Sequence, residues 1–179
     1  MARLSARLNE IKESGQKALV AYLVAGDPNP KITVPLMHQM VDAGVDVIEL
    51  GMPFSDPEAE GPIIQLAHER ALIHKISLTR CLDMVREFRE DNSITPVVLM
   101  GYLNPIESMG YDEFAQAAAL AGVDGTIIVN FPPEEAGEFG DRLAEREVET
   151  VYLLSPTTTD ERARKICGAS RGFVYYVSL

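Results

Sequence analysis

Cysteine, histidine and lysine are scarce in this chain, and each shortage removes a class of chemistry. The two cysteines, Cys81 and Cys167, lie far apart in helical-looking stretches. They form neither a C-x-x-C metal pattern nor a disulfide framework, which fits a reducing, cytoplasmic setting. His38, His68 and His74 also fall in helical stretches, and His68 and His74 are not spaced for one helical face. They are expected to be packed or solvated side chains, and no metal site is expected. Lys12, Lys17, Lys31, Lys75 and Lys165 all fall in helices or in segments on the bottom side of the strands. A Schiff-base mechanism would need one of them desolvated beside the substrate. Basic residues are outnumbered, 16 Lys and Arg against 27 Asp and Glu, for a formal net charge of −11. That argues against nucleic acid or an anionic membrane as partner. No apolar run approaches the ~18 residues of a membrane span. A signal-peptide core is missing, and Glu10 and Glu13 argue against a transit peptide. There is no G-x-G-x-x-G after the first strand, no Walker-type phosphate loop, no nucleophile elbow and no Ser-His-Asp arrangement.

What is present is a steady alternation. The 179 residues, 46% hydrophobic and 24% charged, suit one domain with a sizeable core. Leu4, Leu8 and Ile11 mark a short amphipathic helix that could cover one end of the fold. Six strands are expected, at 18–24, 45–50, 96–100, 124–129, 148–154 and 172–178. Helical stretches separate them. One carries Leu36, Met37, Met40 and Val41, with Pro35 tolerable only in its first turn. A short helix is expected at 63–71, and a longer one is capped by Ser77 with Leu78, Leu82, Val85 and Phe88 inward. Phe114, Ala117, Ala118 and Ala121 share a further helical face, and residues 101–105 read as a turn. A faint repeat, Ala43-Gly44-Val45-Asp46 and Ala121-Gly122-Val123-Asp124, precedes two of the strands. Strands apolar on both faces and punctuated by helices imply a parallel sheet, either doubly wound or a (β/α)8 barrel. The missing dinucleotide signature and the polar loops after strands favour the barrel. A closed barrel needs roughly 250 residues. The expected organisation is therefore a single domain, 1–179, holding about the first six β/α units of a C-terminally incomplete barrel.

The chemistry is carried by carboxylates. Alternation along 45–50 puts Glu49 on one face with Val45 and Val47. A charge there is costly unless it is paired or neutralised. Desolvation raises a carboxyl's pKa and so allows it to hold and return a proton near neutral pH. Glu49 could equally cap the strand end by hydrogen bonding. Asp56, Glu58 and Glu60 follow in the loop, where a wetter carboxylate can stay ionised and stabilise positive charge.

Several stretches resemble the alpha subunit of tryptophan synthase. They are Ala25-Gly26-Asp27-Pro28, Glu49-Leu50-Gly51 with Pro53-Phe54-Ser55-Asp56-Pro57, and Gly61-Pro62 with Ile64-Gln65. Leu99-Met100-Gly101-Tyr102 with Asn104-Pro105-Ile106, Gly122-Val123-Asp124-Gly125 and Pro132-Pro133-Glu134-Glu135 are similar as well. So are Pro156-Thr157-Thr158 with Arg162, and Gly172-Phe173-Val174-Tyr175-Tyr176-Val177-Ser178. The resemblance implies a (β/α)8 barrel lyase that cleaves indole-3-glycerol phosphate to indole and glyceraldehyde 3-phosphate. It implies no cofactor in this chain. Indole would pass to a PLP-dependent beta subunit in an alpha2-beta2 assembly.

By the same resemblance, Glu49 is the general acid/base and Glu60 the second catalytic carboxylate, standing where the family has aspartate. Asn130 likewise replaces a family aspartate. Tyr22, Met100, Tyr102, Ile127, Val129, Leu153 and Tyr175 are expected to contact substrate. Pro53, Phe54, Asp56, Pro57, Asn104 and Pro132 are expected at the partner interface or the closing loop, with Phe54 exposed. The family's phosphate-binding loops follow later strands than those found here, so residues 1–179 alone are expected to be inactive. Two other readings stay open, a regulatory or binding barrel without turnover and a different phosphosugar-handling barrel.

Overall fold

A computed structural model describes residues 2–178. In chain order the elements are α1 Arg3–Glu13, β1 Val20–Val24, α2 Pro30–Asp42, β2 Val47–Gly51, α3 Pro62–Ile73, α4 Leu78–Asp91, β3 Val97–Gly101 and α5 Leu103–Met109. They continue with α6 Tyr111–Ala121, β4 Gly125–Ile128, α7 Pro133–Glu145, β5 Glu149–Thr150, β6 Leu153–Leu154, α8 Asp160–Ala169 and β7 Tyr175–Tyr176. β1 to β5 form one parallel sheet in sequential order, and β6 pairs with β7 in parallel.

The two faces of the sheet are covered differently. Ile48, Leu50, Val97, Leu99 and Ile128 point outward into one large core with residues of α2, α4, α6 and α7. Val47, Val98, Met100, Ile127 and Val151 point the other way and pack with Leu4 of α1. A doubly wound sheet has helices on both faces and a reversal of strand order. Here the order never reverses, and the β/α helices represented in these clusters sit on the outer side. The inner face is a barrel interior, and α1 plugs its lower end, as the position of Leu4, Leu8 and Ile11 suggested.

The plug is held by polar contacts that explain the internal repeat. Each Ala-Gly-Val-Asp segment delivers an aspartate to the foot of the next strand. Asp46 accepts from Leu19 N–H at 2.9 Å and from Arg7 at 2.8 Å. Asp124 accepts from Val97 N–H at 2.7 Å, from Arg89 at 2.6 Å and from Arg3. Both aspartates therefore tie a neighbouring strand to α1. Glu149 adds contacts from the Ser5 amide and hydroxyl.

Four local expectations need correction. The strand at 148–154 is split into β5 and β6. Its lower half bonds to β4, with Val151 N–H donating to Thr126 O at 2.9 Å. Its upper half instead accepts from Tyr175 and Val177 N–H at 3.0 and 2.8 Å. Only Tyr175–Tyr176 is strand in the sixth run, because Gly172 turns the chain at φ +72° where a Cβ would lie 2.7 Å from Leu4 Cδ2. Residues 103–109 are a helix rather than a turn, for Asn130 Oδ1 accepts from Leu103 N–H at 2.8 Å and satisfies a free donor of its first turn. Pro35 lies beyond the first turn of α2. The helix tolerates it because Lys31, whose carbonyl loses its partner, is exposed and open to water.

Asp124 is 4% exposed and the Arg89 side chain 11%. Removing one partner from such a pair leaves a buried charge without compensation. Asp124→Ala is expected to lower the unfolding free energy by about 3–5 kcal/mol. Urea denaturation checks this, and a loss under 1 kcal/mol, roughly that of an exposed pair, would contradict the assignment.

Candidate active site

The interior face places Glu49 and Tyr22 side by side, since they are register partners on β2 and β1. Glu49 is mid-strand rather than at the strand end, because the ladder runs on to Gly51 and Met52 N–H donates to Met100 O at 2.7 Å. Only 4% of its surface is exposed. Among the described residues no hydrogen bond or salt bridge ends on its carboxylate, so a capping role does not account for it.

A cavity of about 300 Å³ opens in front of it, lined by Val20, Tyr22, Glu49, Glu60, Ile64, Met100, Phe173 and Tyr175. Burial first, and the charge of Glu60 second, push Glu49 up from 4.5 to about 7. Burial also raises Glu60, which is half-buried at the end of the loop. Tyr22 and Tyr175 are pushed upward by burial and then by the two carboxylates, so both keep their hydroxyl protons. Glu60 lines the same cavity as Glu49.

The loop between β2 and α3 is fixed at several points. Phe54 N–H donates to His68 Nδ1 at 3.0 Å, and Tyr22 Oη lies 3.2 Å from His68 Nε2. The Phe54 ring stacks on Tyr102 at 5.1 Å and 25°. The Tyr102 hydroxyl accepts from Ala59 N–H at 2.9 Å, and Gln65 Nε2 donates to Glu60 O at 2.9 Å. Gly51 makes room for Tyr22, whose hydroxyl would lie 2.2 Å from a Cβ built there.

Of the residues expected to contact substrate, Tyr22, Met100 and Tyr175 line the cavity. Ile127 is wholly buried in the inner cluster beside Met100. Val129 and Leu153 line a neighbouring cavity of about 360 Å³ that also includes Asn130, Pro132 and Arg162. Tyr102 is outside the lining and supports the loop instead. Phe54 is half-buried by its stacking, contrary to the expectation of exposure, and Pro53 and Pro57 are buried within the chain. Asp56 and Asn104 are exposed, and Pro132 is half-buried. Asn130 uses both ends of its amide, accepting from Leu103 and donating to Asn104 Oδ1 at 3.5 Å. A carboxylate could accept in the same way but could not donate. Val20, Ile64 and Phe173 were not foreseen, nor was the part played by His68. The four-residue spacing of Ile64 and His68, which puts both on one face of α3, was the available signal.

A family model for the tryptophan synthase alpha chain matches residues 8–179. The chain belongs to the tryptophan synthase alpha chain family. It is 58% identical to the tryptophan synthase alpha chain of Marinobacter nauticus and 56% identical to that of Thioalkalivibrio sulfidiphilus, over all 179 residues. It spans 66% and 67% of those two proteins, about two thirds of their length. The crystal structure of tryptophan synthase subunit alpha from Legionella pneumophila superposes with a TM-score of 0.96 at 53% identity, covering 99% of this chain and 68% of that one. A tryptophan synthase from Mycobacterium tuberculosis superposes at 0.92 with 33% identity, covering 99% and 68%.

The raised pKa of Glu49 has a consequence for stability. A folded-state carboxyl near 7 keeps a proton that the unfolded chain releases, so stability falls as pH rises from 4.5 to about 7. Glu49→Gln removes this loss. It is expected to stabilise the fold by up to about 3 kcal/mol near pH 8 and by almost nothing near pH 4. Urea denaturation at both pH values checks this, and a pH-independent difference would contradict it.

Proposed function

We propose that the protein is a lyase of tryptophan biosynthesis that cleaves indole-3-glycerol phosphate by a retro-aldol reaction, with Glu49 as its general acid/base. The single observation that carries this reading is a carboxyl with a pKa near 7, buried in a largely apolar, aromatic-lined cavity that holds a second carboxylate. Family membership narrows the chemistry. Near neutral pH, Glu49 is populated in both protonation states and can serve as acid and as base.

As acid, Glu49 delivers its proton to C3 of the indole ring. As base, it takes the proton of the glycerol hydroxyl next to that carbon. The hydroxyl oxygen becomes the aldehyde of glyceraldehyde 3-phosphate. The carbon–carbon bond breaks, and its electron pair returns to the ring as indole. One proton goes out and one comes back, so no metal or covalent intermediate is required. Glu60 stabilises the positive charge that develops at the ring nitrogen. Tyr22, Met100 and Tyr175 hold the ring, with Tyr22 and Tyr175 remaining neutral donors.

The partner in this reading is a PLP-dependent beta subunit, to which indole passes. An alpha2-beta2 assembly is supported by a solved relative described as the tryptophan synthase a2b2 complex of Pyrococcus furiosus, 43% identical over 90% of this chain. Exposed Asp56 and Asn104, together with Pro132, are the proposed contacts. The free cysteines suit the cytoplasm.

The test uses the full chain in complex with the beta subunit. Glu49→Gln should lower the kcat of indole release by about 10²- to 10⁴-fold and leave complex formation intact. Turnover equal to wild type would remove Glu49 from the mechanism. An inactive wild-type complex would favour a binding subunit without turnover.

A further inference from the structure

His68 belongs to α3, yet it is 1% exposed and sits between two parts of the site. Its Nδ1 accepts the Phe54 amide hydrogen at 3.0 Å. A ring nitrogen that accepts carries no proton, so in the neutral ring the hydrogen is on Nε2. Nε2–H then donates to Tyr22 Oη at 3.2 Å, and the tyrosine's own hydrogen is left free for the cavity. Burial lowers the histidine's affinity for a second proton, which keeps the ring in this form.

The geometry points to His68 as a positioning residue that ties the β2–α3 loop to Tyr22 and thereby fixes Glu60 opposite Glu49. The loop is held as a frame. His68 anchors it at Phe54, and the Phe54 ring rests on Tyr102. Tyr102 in turn accepts the amide hydrogen of Ala59, the residue before Glu60. Disconnecting the His68 end loosens the stacking and, through it, the segment that carries Glu60. At the other end of the tie, Gly51 leaves the space that the Tyr22 hydroxyl occupies. With one nitrogen accepting and the other donating, the ring can join the loop to the barrel wall only in one tautomer.

The positioning role in turnover rests on the lyase reading, so two kinds of measurement are needed. The first is independent of catalysis. Ring ¹⁵N chemical shifts at neutral pH should show His68 as the Nε2–H tautomer, and an Nδ1–H tautomer would overturn the proposal. Amide hydrogen exchange should quicken at Ala59 and Glu60 as well as at Phe54 in His68→Ala. Acceleration confined to Phe54 would overturn it too. The second kind is kinetic, on the full chain with its beta subunit. His68→Ala and Tyr22→Phe should each lower kcat for indole release by about tenfold, with KM moved less than about threefold.

The losses in the double variant should be clearly less than additive, since both substitutions cut the same tie. Its excess over His68→Ala should be only that due to the Tyr22 hydroxyl lost from the cavity. His68→Asn, whose carboxamide oxygen can take the place of Nδ1, should recover loop protection but not the contact to Tyr22. Additive losses of kcat, or full protection of the loop in His68→Ala, would show that His68 only packs. If the wild-type complex releases no indole, the lyase reading fails. The tautomer and exchange results then decide the tie by themselves.

Discussion

Taking the Glu49 carboxylate out of water costs free energy that no ion pair among the described residues offsets. The parallel ladder imposes this cost, because β2 is paired on both sides and its side chains alternate strictly between the outer core and the interior. With Val47 inward, Glu49 is inward. The neighbouring strand then sets Tyr22 beside it, and the loop brings Glu60 in front. Two carboxylates around an apolar cavity destabilise the charged form of the more buried one. The protein thus gives up stability at neutral pH and gains a group that exchanges protons there. Stability and chemistry are linked through one side chain.

That arrangement requires a rigid floor and a rigid lip. The floor is α1, whose Leu4 fills the lower interior and whose Arg3 and Arg7 meet Asp124 and Asp46 at the feet of two strands. The lip is the loop of residues 52–61, which hangs from His68 at one end and from Tyr102 at the other. Aromatic stacking and backbone hydrogen bonds, rather than regular secondary structure, hold that loop. A proline-rich segment can therefore present a carboxylate at a defined place without belonging to a helix or strand.

Much of this was legible in the residues themselves. Alternation put Glu49 on one face with Val47, and that face is the barrel interior. Val45, expected on the same face, lies before β2 and packs with the outer core. The apolar faces of α4 and α6 were visible from Leu78, Leu82, Val85 and Phe88 and from Phe114, Ala117, Ala118 and Ala121. Long, strongly periodic elements reveal themselves because their side chains repeat one burial pattern. What escaped depends on partners distant in sequence. α5 forms where a turn was expected, because Asn130 supplies the acceptor its first turn needs. The fifth strand divides because its two halves bond to different neighbours. Phe54 is sheltered by Tyr102, and His68 bridges Phe54 and Tyr22; none of these pairs is close along the chain. The repeated Ala-Gly-Val-Asp segment was visible, but its meaning emerged only with α1 in place.

The most direct test of the account is a pH titration of the Glu49 carboxyl by ¹³C NMR, with the resonance assigned by its loss in Glu49→Gln. The predicted midpoint is about 7, and it should fall when Glu60 is replaced by Gln, since the charge of Glu60 contributes to it. A midpoint at the ordinary value of 4.5, unaffected by Glu60→Gln, would contradict the claim that burial between these strands makes Glu49 a proton carrier.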